Sequence, residues 1–247
     1  LIGDGVIVPS KMGAHFPFKA VNLKAVDVFI SRIYEDNIIQ FLQVNNLEGQ
    51  YQLKRVGTTI YKSKLSLEDK ALNLNNWNNF SIDLSSVVKI EPGAIYRVSL
   101  VPRKKYSLYS CTSKSEFKDD DLVSTIGSND EEWSERDWGS SYYYDYNDGY
   151  DYYRDYDYND RDNPCKNYYY RNKTVSRNVL ISDIGIIAKA GGDKKMHVFL
   201  SDLNTTKPIP NAKVKFYDYQ QQLLGSTLTD AEGMAEMKLN KKPFVLI

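Results

Sequence analysis

The sequence predicts an all-β fold: two consecutive antiparallel β-sandwiches, the first carrying a long loop insertion. Three observations lead there. Stretches rich in β-branched and aromatic residues alternate apolar and polar positions along most of the chain. After Gly192, short apolar runs and turn residues follow one another at roughly the eight-to-twelve-residue spacing of a sandwich. Between Cys111 and Cys165 that patterning stops.

The first clear strand is "AVDVFISRIY", where Val26, Val28 and Ile30 share one face and Asp27, Phe29 and Ser31 the other. "EDNIIQFLQV" fits either a strand or a short helical turn carrying Ile38, Ile39 and Leu42. "TTIYKSKLSL" sets Ile60, Lys62 and Lys64 opposite Tyr61, Ser63 and Leu65. In "NWNNFSIDLSSVV", Phe80, Ile82 and Leu84 alternate. After the turn signal Pro92-Gly93, "AIYRVSLVP" predicts a half-buried strand, with Tyr96, Val98 and Leu100 on one face and Ile95, Arg97 and Ser99 on the other.

Strand patterning returns in "SRNVLISDIGIIAKAG" and runs through "SDIG", so the boundary between sandwiches is expected there, with almost no linker. Residues 1–184 then form the first domain, with the insertion at about 111–170, and residues 185–247 the second. In the latter, "KMHVFLSDL", "AKVKFYDY" (Val214 and Phe216 on one face), "QQLLGSTLT", "MAEMKL" (Ala235, Met237 and Leu239 inward) and "KPFVLI" are the expected strands. "NTTKPIPN" and "DAEG" separate them.

Bulk properties exclude several functions. The 247 residues are 42% hydrophobic and 26% charged, a globular composition. Thirty-two basic residues balance thirty-two acidic ones, so no net field favours nucleic acid or an anionic membrane. Apolar runs fall far short of the roughly 18 residues of a membrane helix, and direct membrane insertion is not expected. There is no βαβ alternation and no glycine-rich phosphate loop, and no cofactor is expected. The chain opens at Leu1 and breaks off inside the apolar run "KPFVLI", which suggests a piece of a longer polypeptide whose signal or anchor would lie upstream.

Cys111 and Cys165 are either a disulfide or two separate thiols. With His15 and His197 as the two histidines and no CxxC, a zinc site lacks its usual ligands, and nothing near either cysteine supports a Cys–His nucleophile. Both histidines read as structural, and Trp77, Trp133 and Trp138 as packing or loop anchors. "NKT" at 172–174 fits the glycosylation pattern. No nucleophile with its base can be assembled, so no enzymatic activity is expected.

"FLSDLNTTKPIPNAKVKFYDYQQQLLGSTLTDAEGMAEMKL" resembles the macroglobulin-like domain of bacterial alpha-2-macroglobulins, carried by the strand before "DLNTTKP", the "PNAKV" strand start, the "YDYQQQLLGS" hairpin and the "TDAEGMA" turn. "PFKAVNLKAVDVFISRIYEDNIIQFLQ", "NWNNFSIDLSSVVKIEPGAIYRVSL" and "LISDIGIIAK" are similar to the domain before it, in an order that resembles the long Bacteroidetes-type forms. The resemblance implies macroglobulin-like sandwiches of immunoglobulin or fibronectin III-like architecture. It also implies a parent protein in the periplasm or cell envelope, secreted or lipid-anchored, that traps proteases. Family members use a bait segment and often a Cys-x-Glu-Gln thioester. Cys111 is followed by "TSK" and Cys165 by "KNY", so neither is the thioester cysteine. The fragment would be non-catalytic scaffold, with neighbouring domains as direct partners and proteases met through the full-length protein.

Bonded, Cys111 and Cys165 would close off the whole unpatterned region, a bond suited to the envelope. That region holds a tract from Tyr142 to Asp162 with nine tyrosines and seven aspartates. Tyr142, Tyr143, Tyr144, Tyr146, Tyr150, Tyr152, Tyr153, Tyr156 and Tyr158 could form an interaction surface, which supports the alternative reading of a surface adhesin or glycan- or protein-binding module. The plainer expectation is that alternate tyrosines cover the sandwich while the aspartates keep the loop soluble. Asp155, Asp157, Asp160 and Asp162 are weak calcium candidates. The sixth loop position is Asp160 where glycine is needed and the twelfth is Lys166 where glutamate is needed, so this is not an EF-hand and no dedicated metal site is expected.

Overall fold

The computed structural model describes residues 1–3, 5–91, 93–111, 161–166, 169–170 and 173–247. The tyrosine tract from Tyr142 to Tyr158, Asp155, Asp157, Asp160, Trp133, Trp138, Asn172 and Pro92 lie outside the described residues.

Seven strands belong to the amino-terminal part: β1 (Ile7–Val8), β2 (His15–Ala20), β3 (Ala25–Ile33), β4 (Gly57–Ser66), β5 (Asn78–Asp83), β6 (Ile95–Val101) and β7 (Val175–Ile181). Five form a sheet in the order β1-β7-β6-β3-β4, and β2 pairs with β5 in a second sheet. The pairings are antiparallel except that β1 runs parallel to β7. The period-two pattern places Val26, Val28 and Ile30 of β3 and Tyr96, Val98 and Leu100 of β6 on one face. They meet Phe16, Phe18 and Ala20 of β2 and Ile82 of β5 in one core. Burying such side chains from both sheets is what holds the layers together.

The expectation of a half-buried β6 is corrected. Ile95, Arg97 and Ser99 are buried as well; residues 38–56 fold over the outer face at Ile95 and Arg97, and Ser99 Oγ accepts from Ser176 Oγ at 2.8 Å. "EDNIIQFLQV" supplies a 3-10 turn and α1 (Ile38–Leu42), whose Phe41 packs with Ile33, Val56 and Ile95. Arg97 is accommodated by polar contacts. It donates to Asn178 Oδ1 at 2.9 Å and to Gln50, while Asn178 donates to the carbonyls of Leu47 and Gly49, each at 2.8 Å. A buried polar group so satisfied escapes most of the desolvation cost of an orphan. A second correction concerns Leu84. The strand ends at Asp83, whose Oδ1 accepts from Ser85 N at 3.0 Å and caps α2 (Leu84–Val87). Leu84 therefore enters the core from a helical turn.

The carboxy-terminal part contains β8 (Ile184–Ala190), β9 (Lys195–Asp202), β10 (Lys213–Tyr217), β11 (Leu223–Leu228), β12 (Met234–Lys238) and β13 (Val245–Leu246). They form two antiparallel sheets, β12-β9-β8 and β11-β10-β13. Val198, Leu200, Val214, Phe216, Ala235 and Leu239 fill the space between them. The "DAEG" turn needs its glycine: Gly233 has φ +73°, and a Cβ there would lie 2.4 Å from the Leu200 carbonyl oxygen. Among the described residues the architecture is all-β, with mainly antiparallel sheets and few helical turns. No helix among the described residues is long and apolar enough to cross a membrane.

Candidate functional site at the β7–β8 junction

The strand pattern through "SDIG" becomes two strands, β7 ending at Ile181 and β8 starting at Ile184, with Ser182 and Asp183 between them. Two residues leave little rotational freedom, and side chains remove more.

β1 and β7 run parallel with Val8 opposite Ile181. Two residues further along each chain, Ser10 arrives beside Asp183. Asp183 Oδ1 accepts from Ser10 N at 2.7 Å and Oδ2 from Ser10 Oγ at 2.6 Å. From the other side, Asn204 Nδ2 donates to Asp183 Oδ1 at 2.7 Å. Asn204 is held by its own turn, in which Asp202 Oδ1 accepts from the amides of Asn204 and Thr205 at 2.9 and 2.7 Å. One carboxylate thus ties the amino-terminal edge of the first sandwich to the β9–β10 loop of the second. Backbone bonds flank it: Ser182 N donates to Val8 O at 3.1 Å and Leu203 N to Asp183 O at 2.7 Å. Donors stabilise the charged form, so the Ser10 hydroxyl and amide, followed by Asn204, hold the Asp183 pKa below the usual carboxylate value.

A second contact joins α1 to the β10–β11 hairpin. Gln43 Nε2 donates to Tyr219 O, Tyr219 Oη donates to Gln43 O at 3.3 Å, and Gln221 Nε2 donates to Gln43 Oε1 at 3.2 Å. Two attachment points on different elements resist bending better than one.

The base of the insertion is fixed separately. Cys111 and Cys165 form a disulfide with Cα atoms 5.5 Å apart. On the outgoing side, Arg103 makes a buried ion pair with Asp27 of β3, and Tyr106 Oη donates to Asp27 Oδ1 at 2.8 Å. On the returning side, Cys165 N donates to Asn163 Oδ1 at 2.9 Å and Tyr170 Oη to Pro164 O at 2.8 Å.

Other residues singled out from sequence are dispersed. Asp162 is exposed and pairs with Arg161 at 3.0 Å. His197 Nδ1 lies 3.4 Å from Glu236, which also pairs with Lys195. His15 sits on β2 opposite Asp83. Trp77 is not a packing anchor: it is 70% exposed. Sequence reasoning missed Ser10, Gln43, Asn204 and Tyr219. Only Asp183, a lone acid between two strand patterns, and the "DLNTT" turn carried any local signal.

Residues 181–246 match the family model for the bacterial alpha-2-macroglobulin MG3 domain. No curated protein matches the chain. Among solved structures, native alpha-2-macroglobulin from Escherichia coli spanning domains NIE-MG1 is similar with TM-score 0.53 and 14% identity, over 98% of this chain and 87% of that one. Trypsin-activated alpha-2-macroglobulin from Escherichia coli gives TM-score 0.55 and 14% identity, over 98% of this chain but 12% of that one. At such identity the structures establish a shared fold and nothing beyond it. The family match covers residues 181–246, the carboxy-terminal part, which is similar to the bacterial alpha-2-macroglobulin MG3 domain.

Proposed function

We propose that this chain is a non-catalytic scaffold segment of an alpha-2-macroglobulin-like, protease-trapping protein of the cell envelope. Its division into domains falls at the junction, residues 1–184 and 185–247. Its direct partners are neighbouring domains of a longer parent, which meets endopeptidases elsewhere along its length. The reading rests on one observation above all. The sandwiches are joined by two residues and clasped on two sides, through Asp183 and through Gln43, the arrangement needed to pass a movement of one domain to the next. The MG3 match supplies the family context.

The test uses the parent protein with Asp183→Ala and Gln43→Ala introduced together. Challenged with a protease, the unaltered parent is expected to trap it, and the doubly altered parent to trap less at equal cleavage. Equal trapping by both contradicts a relaying role. Protease inhibition or substrate turnover by residues 1–247 alone contradicts the scaffold reading itself.

A further inference from the structure

Away from the junction, a cavity of about 450 Å³ opens where the insertion is attached to the amino-terminal sandwich. Its volume lies within the roughly 300–1,000 Å³ of ligand-binding pockets. The floor consists of Phe18, Val26 and Leu100, buried members of the central core, so the cavity is a gap leading between the two sheets. The rim is aromatic. Trp77 is 70% and Tyr109 40% exposed, and Tyr169 stands in hydrogen-bonding contact with Tyr109. Large aromatic side chains left in water around an apolar opening are the composition of an interaction hot spot.

The charged side chains among the described residues lining the opening are both basic. Lys19 and Lys173 line it, with Lys173 Nζ 4.9 Å from the Tyr169 ring centroid, and the described lining residues include no carboxylate. The acid that acts on Tyr169, Asp162, is paired with Arg161.

We propose that this pocket docks an acidic peptide of a partner protein, which inserts one bulky apolar side chain between the sheets. The anchor rests on Phe18 and Leu100 and stacks against Trp77 and Tyr109, while flanking carboxylates meet Lys19 and Lys173. The opposite charge of ligand and rim supplies selectivity and a salt-dependent affinity; the apolar floor supplies the requirement for an anchor.

The probe is a fluorescein-labelled peptide of sequence EDFDE, titrated into the full chain and followed by anisotropy. Saturable binding is expected with a Kd on the order of micromolar to tens of micromolar, weakened severalfold as salt screens the charges. Trp77→Ala is expected to weaken it at least tenfold, and Lys19→Glu with Lys173→Glu likewise. These side chains are exposed, so the variants are expected to fold. Lys213→Glu, on the other sandwich, is expected to leave binding unchanged. Four outcomes overturn the proposal. They are no saturation up to millimolar peptide, equal affinity for EDADE, displacement of EDFDE by laurate without any loss in the lysine variants, and binding confined to a chain lacking residues 142–162. The last would assign the pocket to the chain's own acidic, tyrosine-rich tract instead of a partner.

Discussion

Strands β3 and β6 of the amino-terminal sandwich are covered on both faces, whereas β8 of the carboxy-terminal sandwich is exposed along nearly its whole length. The first sandwich adds an outer cluster around Phe41 to its central core, and a buried ion pair at Asp27. The second has six buried core residues and leaves Ile186 and Ile187 of β8 at 54% and 60% exposure. β8 is also the strand that leaves the junction. The difference teaches that the two parts are not equivalent modules: the amino-terminal one is filled on both faces of its central strands, and the carboxy-terminal one has a smaller core and presents an exposed strand at the junction.

The contrast breaks most readily at the cores. Phe216→Ala removes the fully buried ring of the smaller core, and is expected to cost about 3–5 kcal/mol. In urea it should separate an early unfolding step of β9–β12, seen by hydrogen exchange, from a later step of β3 and β6. A single shared transition would show that the two parts are equally dependent on each other. Asp27→Ala strands the Arg103 guanidinium in the interior, and should destabilise the amino-terminal part by about 3–5 kcal/mol. Equilibrium unfolding of this variant should reverse the order of the two steps.

Breaking the disulfide sharpens the comparison, because the staple lies wholly in the first sandwich. Cys111 and Cys165 are separated by 54 residues. Releasing that loop is expected to cost at most about 4 kcal/mol in the loop-entropy account. Replacing both with serine should lower the midpoint of the β3/β6 transition and leave that of β9–β12 in place.

The smallest effect is the pH dependence of the clasp. Because the folded-state pKa of Asp183 is lowered, its contribution is fully present above the ordinary carboxylate pKa of about 3.9. It is lost as pH falls from there through the folded value. Fluorescence energy transfer between the two sandwiches should therefore change below about pH 4 in the unaltered chain. Asp183→Asn should remove that step. An identical acid step in the variant would assign it to another group.

What the sequence made legible follows from the range of the forces involved. Period-two alternation exposed the inward faces of β3, β10 and β12, since Val26, Val28, Val214, Phe216 and Ala235 report burial within a few residues of themselves. It could not show that β6 is covered twice, because the cover comes from residues 38–56, whose own pattern is that of a turn and loops. Nor could it show that Asp27 lies inside, since a charged residue at a polar position reads as solvent-facing until Arg103 is placed beside it. The junction was legible in position but not in mechanism. "SDIG" marked where the strand pattern changes sheets, while Ser10 reaches Asp183 across 173 residues and Gln43 reaches Tyr219 across 176. Neither carries a local sign of that destination.

The central claim, that the two sandwiches are held at one angle, is tested most directly by the distance between spin labels placed at the exposed positions Lys89 and Lys213. A single narrow distance distribution is predicted for the chain at neutral pH, broadening when Asp183→Ala and Gln43→Ala are introduced together. A broad or multiple distribution in the unaltered chain, unchanged by those substitutions, would contradict it.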